Sequence, residues 1–147
     1  MKIEFNKYNT IALCGAALLI FGLFLPFVDV KLPGQNLYAA YIDCYNGVRV
    51  LIIMLVAIIL LVTKQFVHSP YIYTIMMTTI RLLIIMMAIS IIWDGFYAPG
   101  LAKWFASKNE AGYVLGIGFY ANSLGLIAFT VGSFLEYRYN VGKLIVE

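Results

Sequence analysis

Four long apolar runs are the feature that most constrains how this chain can fold. They cover residues 10–28, 48–66, 71–93 and 113–135. Each run approaches or exceeds the roughly 20 residues that an α-helix needs to cross a hydrocarbon core about 30 Å thick. The sequence therefore predicts an all-α fold, an integral membrane four-helix bundle with short loops.

The composition of the whole chain supports this interpretation. Of its 147 residues, 63% are apolar and only 12% are charged. An average soluble domain has about 45–50% apolar and about 25% charged residues. So few charges would not keep so much apolar surface in water, and the surrounding solvent is therefore expected to be lipid. We expect one transmembrane domain over residues 1–147, placed in the cell membrane, with the lipid bilayer as its first partner.

The connections between the runs predict how the helices follow one another. Residues 64–70 form a tight link, and Ser69 followed by Pro70 is a favourable start for a helix. The second and third helices should therefore form an antiparallel hairpin. The connection 94–112 has apolar and aromatic residues beside lysines, which predicts a short interfacial helix between helices 3 and 4.

The basic residues bear on orientation and on partners. An even number of spans puts both termini on one side, with Lys2, Lys7, Lys64, Arg138 and Lys143, and leaves Lys31, Arg49, Lys103 and Lys108 on the other. The two lysines that precede the first helix favour cytoplasmic termini. The net charge is only +3 and no basic run is present, so no nucleic-acid partner is expected.

Small residues recur at alternating three- and four-residue steps on two of the runs. On the fourth run they are Gly118, Ala121, Gly125, Ala128 and Gly132. On the first run Gly15 and Gly22 follow this pattern with Ala12 and Pro26, once Leu19 is included. Small residues let helix backbones approach closely, which drives helix association in lipid. We expect helices 1 and 4 to pack against each other within the bundle, and self-association or packing against a partner's helix remains the alternative.

Arg81 is the residue that most suggests a site. It lies near the middle of the third run, where a charge costs about 2.5–3.5 kcal/mol on insertion scales. The acidic residues nearest to the runs lie at their ends. Counting about 1.5 Å per residue from opposite edges puts Asn122 at nearly the same depth as Arg81, with Thr78 and Ser123 beside them.

This predicted polar layer has two interpretations. It can be a site for an anionic ligand, a lipid headgroup or an acidic residue of a partner's membrane helix. It can also be an arginine whose charge is satisfied within the chain or at the interface.

Groups that would indicate catalysis, metal or cofactor binding are scarce. Cys14 lies inside the first apolar run and Cys44 lies beyond its far end, so a spanning helix holds them too far apart to form a disulfide within one chain. His68 is the only histidine, so no zinc site and no paired-histidine haem site is expected. The sequence predicts a noncatalytic protein without cofactor or metal, acting as an accessory, assembly or interaction partner of other membrane components. The alternative is a small oligomeric transporter or channel for an anion, using Arg81 and Asn122.

Overall fold

The computed structural model describes residues 6–32, 35–43, 46–67, 69–105 and 112–146. Within these ranges only the backbone is described for residues 30–32, 35–37, 97–105, 112–113 and 142–146. The elements are helices α1 (Lys7–Phe24), α2 (Gly47–Thr63), α3 (Pro70–Phe105) and α4 (Ile117–Val146), and strands β1 (Pro26–Leu32), β2 (Gln35–Ala40) and β3 (Gly112–Leu115). Single 3₁₀ turns cover Tyr41–Asp43 and Lys64–Phe66.

All four helices contain a segment long and apolar enough to cross a membrane. These segments are Lys7–Phe24, Gly47–Phe66, Pro70–Phe96 and Ile117–Val141. Large apolar side chains such as Ile59, Ile89 and Ile127 are exposed on the outside of the bundle, where lipid would cover them. The prediction of four spanning helices is confirmed, and the chain is a multi-pass membrane protein.

Two helix ends differ from the predicted runs because the flanking residues form strands. Helix α1 ends at Phe24 rather than at residue 28, since the chain from Pro26 onward pairs as β1. Helix α4 begins at Ile117 rather than at residue 113, because β3 occupies the preceding residues. It continues to Val146, well past residue 135.

Helix α3 is longer than predicted. It continues beyond residue 93 and ends at Phe105. The short interfacial helix predicted within the connection 94–112 is not a separate helix as far as Phe105, because these residues continue α3. Residues 106–111 lie outside the described ranges. The preceding hairpin agrees with the sequence, since the turn Lys64–Phe66 leads within a few residues to Pro70 at the start of α3.

The loops at the end of the bundle away from the chain termini form a small antiparallel sheet. Its strand order is β2-β1-β3. Val28 of β1 pairs with Ala39 on one side and with Leu115 on the other. These strands were not expected from the sequence, because each is short and lies beside a much stronger helical signal.

Helices α1 and α4 form the closest pair in the bundle. A Cβ added at Gly125 would lie 2.5 Å from the backbone nitrogen of Leu19, and one added at Gly132 would lie 2.5 Å from that of Ala12. Real Cβ atoms do not approach backbone so closely, so glycine is required at both positions. The other predicted seam residues, Gly15, Gly22, Gly118, Ala121 and Ala128, follow the same two helices, and the three glycines among them also approach the opposite chain segment closely.

The remaining contacts close the bundle. Helix α2 packs against α1 and α3, and α3 packs against α4. The core between them contains fully buried apolar side chains, among them Leu19, Met54, Met77 and Phe129. This arrangement brings the start of α1, the end of α2, the start of α3 and the last turns of α4 together at the end of the bundle that contains the chain termini.

Candidate functional site

A buried ion pair lies where these four helix ends meet. The ammonium group of Lys64, in the turn after α2, contacts the carboxylate of Glu136 on α4, and both side chains are completely buried. The Lys64 Nζ atom also lies 3.4 Å from the sulfur of Met77 on α3. Each of these two charges therefore has its countercharge inside the chain.

Three further polar side chains complete the surroundings of this pair. With its amide nitrogen facing the carboxylate, Asn9 on α1 donates to both Glu136 oxygens at 2.9 and 2.8 Å. The amide of Asn140 donates to the hydroxyl of Tyr73 at 3.0 Å and reaches Glu136 Oε1 at 3.5 Å. We call these five residues, Asn9, Lys64, Tyr73, Glu136 and Asn140, the polar cluster.

The polar cluster was missed in the sequence analysis, which placed Lys64 and Glu136 at span ends with their charges at the interface. Both side chains instead point into the bundle. Hydropathy gives the depth of a residue but not the helix face on which it lies. The one available signal was coarse, since Lys64 after α2 and Glu136 on α4 lie at the same side of the membrane with opposite charges, which does not give the helix face of either.

Arg81 lies on α3, close to the polar cluster but not part of it. Its guanidinium carbon is 4.2 Å from the ring centroid of Tyr137, the residue after Glu136. The Tyr137 ring is in turn stacked on Tyr73, with ring centroids 6.4 Å apart. Within the described part of the chain, Arg81 forms no hydrogen bond and no ion pair. Its positive charge therefore faces an aromatic ring but has no anionic partner there.

A groove of about 310 Å³ begins at Arg81 and lies between α3 and α4. It is lined by Arg81, Ile84, Ile85, Thr130, Ser133 and Phe134. The side chains of Ile85 and Phe134 are 53% and 51% exposed, so the groove opens on the outer surface of the bundle. The Ser133 hydroxyl is buried and has no hydrogen-bond partner among the described residues. The α3–α4 groove thus combines apolar walls with one cation and one unused hydroxyl.

The structure does not bring Arg81 and Asn122 together, so the prediction of a shared polar layer is wrong. Arg81 contacts Tyr137, while Asn122 packs against Gly22 of α1. On α4 these contacts are 15 residues apart, which is about 22 Å along a helix. The equal-depth estimate placed each side chain at the level of its α-carbon, whereas the Arg81 guanidinium group extends to Tyr137, two residues past the end of the predicted fourth run at residue 135.

The other residues of that predicted layer are satisfied within their own helices or isolated. Thr78 donates to the carbonyl of Thr74, and Ser123 donates to the carbonyl of Phe119, each at 2.9 Å. Asn122 is completely buried, and neither of its amide atoms has a partner among the described residues. Among the grooves formed by described residues, the α3–α4 groove therefore includes Arg81 but not Asn122, Thr78 or Ser123.

Fold and site together define a class: a small multi-pass membrane protein with four apolar helices, an internal polar cluster and a cationic groove facing lipid. In the described part of the chain, no three His, Cys, Asp or Glu residues are grouped so that they could hold a metal ion. Comparisons with protein-family models, with curated proteins and with solved structures found no match to this chain. The function is therefore argued from the groove itself.

Proposed function

We propose that this chain is a noncatalytic accessory protein of the membrane, which binds another membrane component at the α3–α4 groove. The observation that supports this most directly is the charge of Arg81, which has no anionic partner among the described residues. Arginines within spanning helices are rare, and such residues commonly mark sites of function. At this position a bound anionic group would supply the missing countercharge.

The direction in which the groove opens favours binding from the side over passage through the bundle. Its outer wall consists of half-exposed apolar side chains, Ile85 and Phe134. A transport path would need polar groups at several depths. Here the charges of Lys64 and Glu136 neutralise each other. Asn122 lies about 22 Å along α4 from Tyr137, the residue that Arg81 contacts.

The small-residue seam offers less to a partner than the groove does. Gly125 and Gly132 are covered by the backbone of α1 at Leu19 and Ala12. A partner's helix could pack against these glycines only if α1 moved away from them. Binding to a partner or to a second copy is therefore expected at the face formed by α3 and α4.

Photo-cross-linking in native membranes tests the proposal. A photoreactive amino acid at Ile85 reports on the groove, and the same amino acid at Ile59, an exposed position on α2, is the matched control. We expect a discrete cross-linked product from Ile85, its loss when Arg81→Leu is added, and no such product from Ile59. Identical products from both positions would show that the groove has no special contact.

An anion-flux assay separates the proposed function from the transport alternative. The purified protein is placed in vesicles, and anion release is compared with protein-free vesicles. We expect no flux above the protein-free level. A flux that depends on Arg81 would contradict the accessory role and support a transporter or channel.

A further inference from the structure

We propose that the component bound at the α3–α4 groove is an anionic phospholipid, with its phosphate on Arg81 and part of one acyl chain in the groove. This inference rests on the proposed function of the same face and names the chemistry of the ligand. Three properties of the groove support it: depth, shape and unused hydrogen-bond donors.

The depth of the guanidinium group matches a headgroup. It lies over Tyr137, two residues after Leu135, where the apolar run of α4 ends and the polar residues 136–140 follow. The positive charge therefore lies at the end of the apolar run, on the side that contains the chain termini, although the α-carbon of Arg81 belongs to the middle of α3. A phosphate at the membrane surface can reach it without entering the hydrocarbon core.

The shape of the groove suits an acyl chain. From Arg81 and Phe134 it continues toward the centre of the membrane, to Ile85 and Thr130, along the direction in which lipid chains lie. Its volume of about 310 Å³ is at the lower end of the range of roughly 300–1,000 Å³ that ligand pockets occupy. An α-helix with its side chains is about 10–12 Å across. The groove is therefore better suited to a segment of one chain than to a partner's helix.

The two hydrogen-bond donor groups of the groove, on Arg81 and Ser133, match the order of acceptor groups in a phospholipid, from the phosphate to the esters. The guanidinium group has five N–H donors in a planar fork that matches phosphate oxygens, and none of them forms a hydrogen bond among the described residues. Ser133, which lines the groove, supplies a second donor, buried and without an acceptor among the described residues. In a phospholipid the ester oxygens lie directly inward of the phosphate, as Ser133 lies one turn inward of Tyr137 on α4. One ligand thus accounts for both groups.

Lipid retention measured by native mass spectrometry tests the inference. The full chain is transferred to bilayer discs of phosphatidylcholine containing a minority of phosphatidylglycerol, extracted in a mild detergent, and its bound lipids are counted. We expect one phosphatidylglycerol per chain to be retained in preference to phosphatidylcholine. Arg81→Leu should reduce this preference by roughly tenfold, the effect of losing one charge-assisted contact. Ser133→Ala, which leaves the charge in place, should reduce it less.

A pair of tryptophan substitutions tests the acyl-chain part separately. Ile85→Trp fills the groove, whereas Ile89→Trp adds the same ring one turn further along α3, at an exposed position outside the groove lining. We expect lower retention of phosphatidylglycerol only for Ile85→Trp. Thermal unfolding of each variant in detergent shows whether it is folded before its lipids are counted.

The outcomes distinguish this inference from the proposed function. Retention that is the same for both lipids, or unchanged in folded Arg81→Leu, overturns the phospholipid assignment. A cross-link from Ile85 to one protein, without retained phosphatidylglycerol, overturns it as well but leaves the proposed function standing. Absence of both a specific cross-link and a retained lipid overturns both.

Discussion

At the scale of single residues, the ion pair of Lys64 and Glu136 has the largest energetic consequence. Removing two charges from water is costly, and their attraction compensates only where further hydrogen bonds satisfy both groups. Asn9 and Asn140 supply such bonds to the carboxylate. The two charges are therefore compatible with a stable fold when they are buried together, whereas either charge buried alone would destabilise it.

Breaking the pair from one side should destabilise the protein strongly. For Glu136→Gln we expect the free energy of unfolding in detergent to fall by about 3–5 kcal/mol, because the charge of Lys64 would stay buried without its partner. Lys64→Met should have a similar effect. The double variant should recover most of the loss, and a double-mutant cycle measures this coupling. Additive effects of the two substitutions would show that the pair is not coupled.

The two buried asparagines of α4 give a second prediction with an internal control. Asn140 donates to Tyr73, whereas both amide atoms of Asn122 are buried without a partner among the described residues. A buried unsatisfied polar group costs about 1–3 kcal/mol. Asn122→Ala should therefore leave the free energy of unfolding unchanged or higher, while Asn140→Ala should lower it by about 1 kcal/mol. Chemical denaturation in detergent compares the two variants.

A clear loss of stability in Asn122→Ala would contradict this expectation. It would mean that the packing of the Asn122 side chain against Gly22 outweighs the cost of its unpaired amide atoms.

At the scale of elements, the contact between α1 and α4 determines how the bundle is built. Their glycines allow backbone atoms of the two helices to touch, as at Gly125 and Leu19. In lipid the hydrophobic effect between helices is absent, so this close approach and its van der Waals contacts supply the attraction. Helices α2 and α3 then complete the bundle beside this pair.

Substitution of a seam glycine should separate the two helices. Gly125→Leu places a side chain where even a Cβ would lie 2.5 Å from Leu19 nitrogen, and we expect a loss of at least about 1–3 kcal/mol in the free energy of unfolding. Ala17→Leu, on the exposed face of α1, is the control and should change it by no more than about 0.5 kcal/mol. Equal stability of Gly125→Leu and the wild type would show that the close approach is not required.

The elements also show what a sequence of this kind can predict. Apolar runs gave the number of spans, and glycine spacing gave a prediction for which helices touch. Helix ends were less predictable, since Pro26 and Tyr113 belong to strands whose pairing depends on residues far along the chain. The polar cluster and the Arg81 groove depend on which face of each helix turns inward. That face is decided by the packing of all four helices together, and no local pattern around Lys64 or Glu136 reveals it.

At the scale of the whole molecule, the structure redistributes the basic residues that bear on orientation. Of the five basic residues predicted on the side of the chain termini, Lys64 is neutralised inside the bundle, while the guanidinium group of Arg81 joins this side over Tyr137. One lost and one gained leaves five against four on the opposite side. The start of α1 and the end of α4 lie together, with the rings of Tyr8 and Tyr139 5.8 Å apart. Orientation then depends on Lys2 and on Lys7 at the start of α1, since lysines that flank the first span usually remain in the cytoplasm.

Orientation of the whole molecule decides which leaflet the Arg81 groove faces, and this can be measured. With Cys14 and Cys44 replaced by serine, we expect Tyr38→Cys, at an exposed position on β2, to react with a membrane-impermeant thiol reagent in intact cells. Ser69→Cys, in the link before α3, should react only after permeabilisation. The groove then faces the cytoplasmic leaflet, where anionic lipids give the surface its negative potential. The opposite labelling pattern would place Arg81 in the other leaflet, and the source of its anionic ligand would have to be sought there.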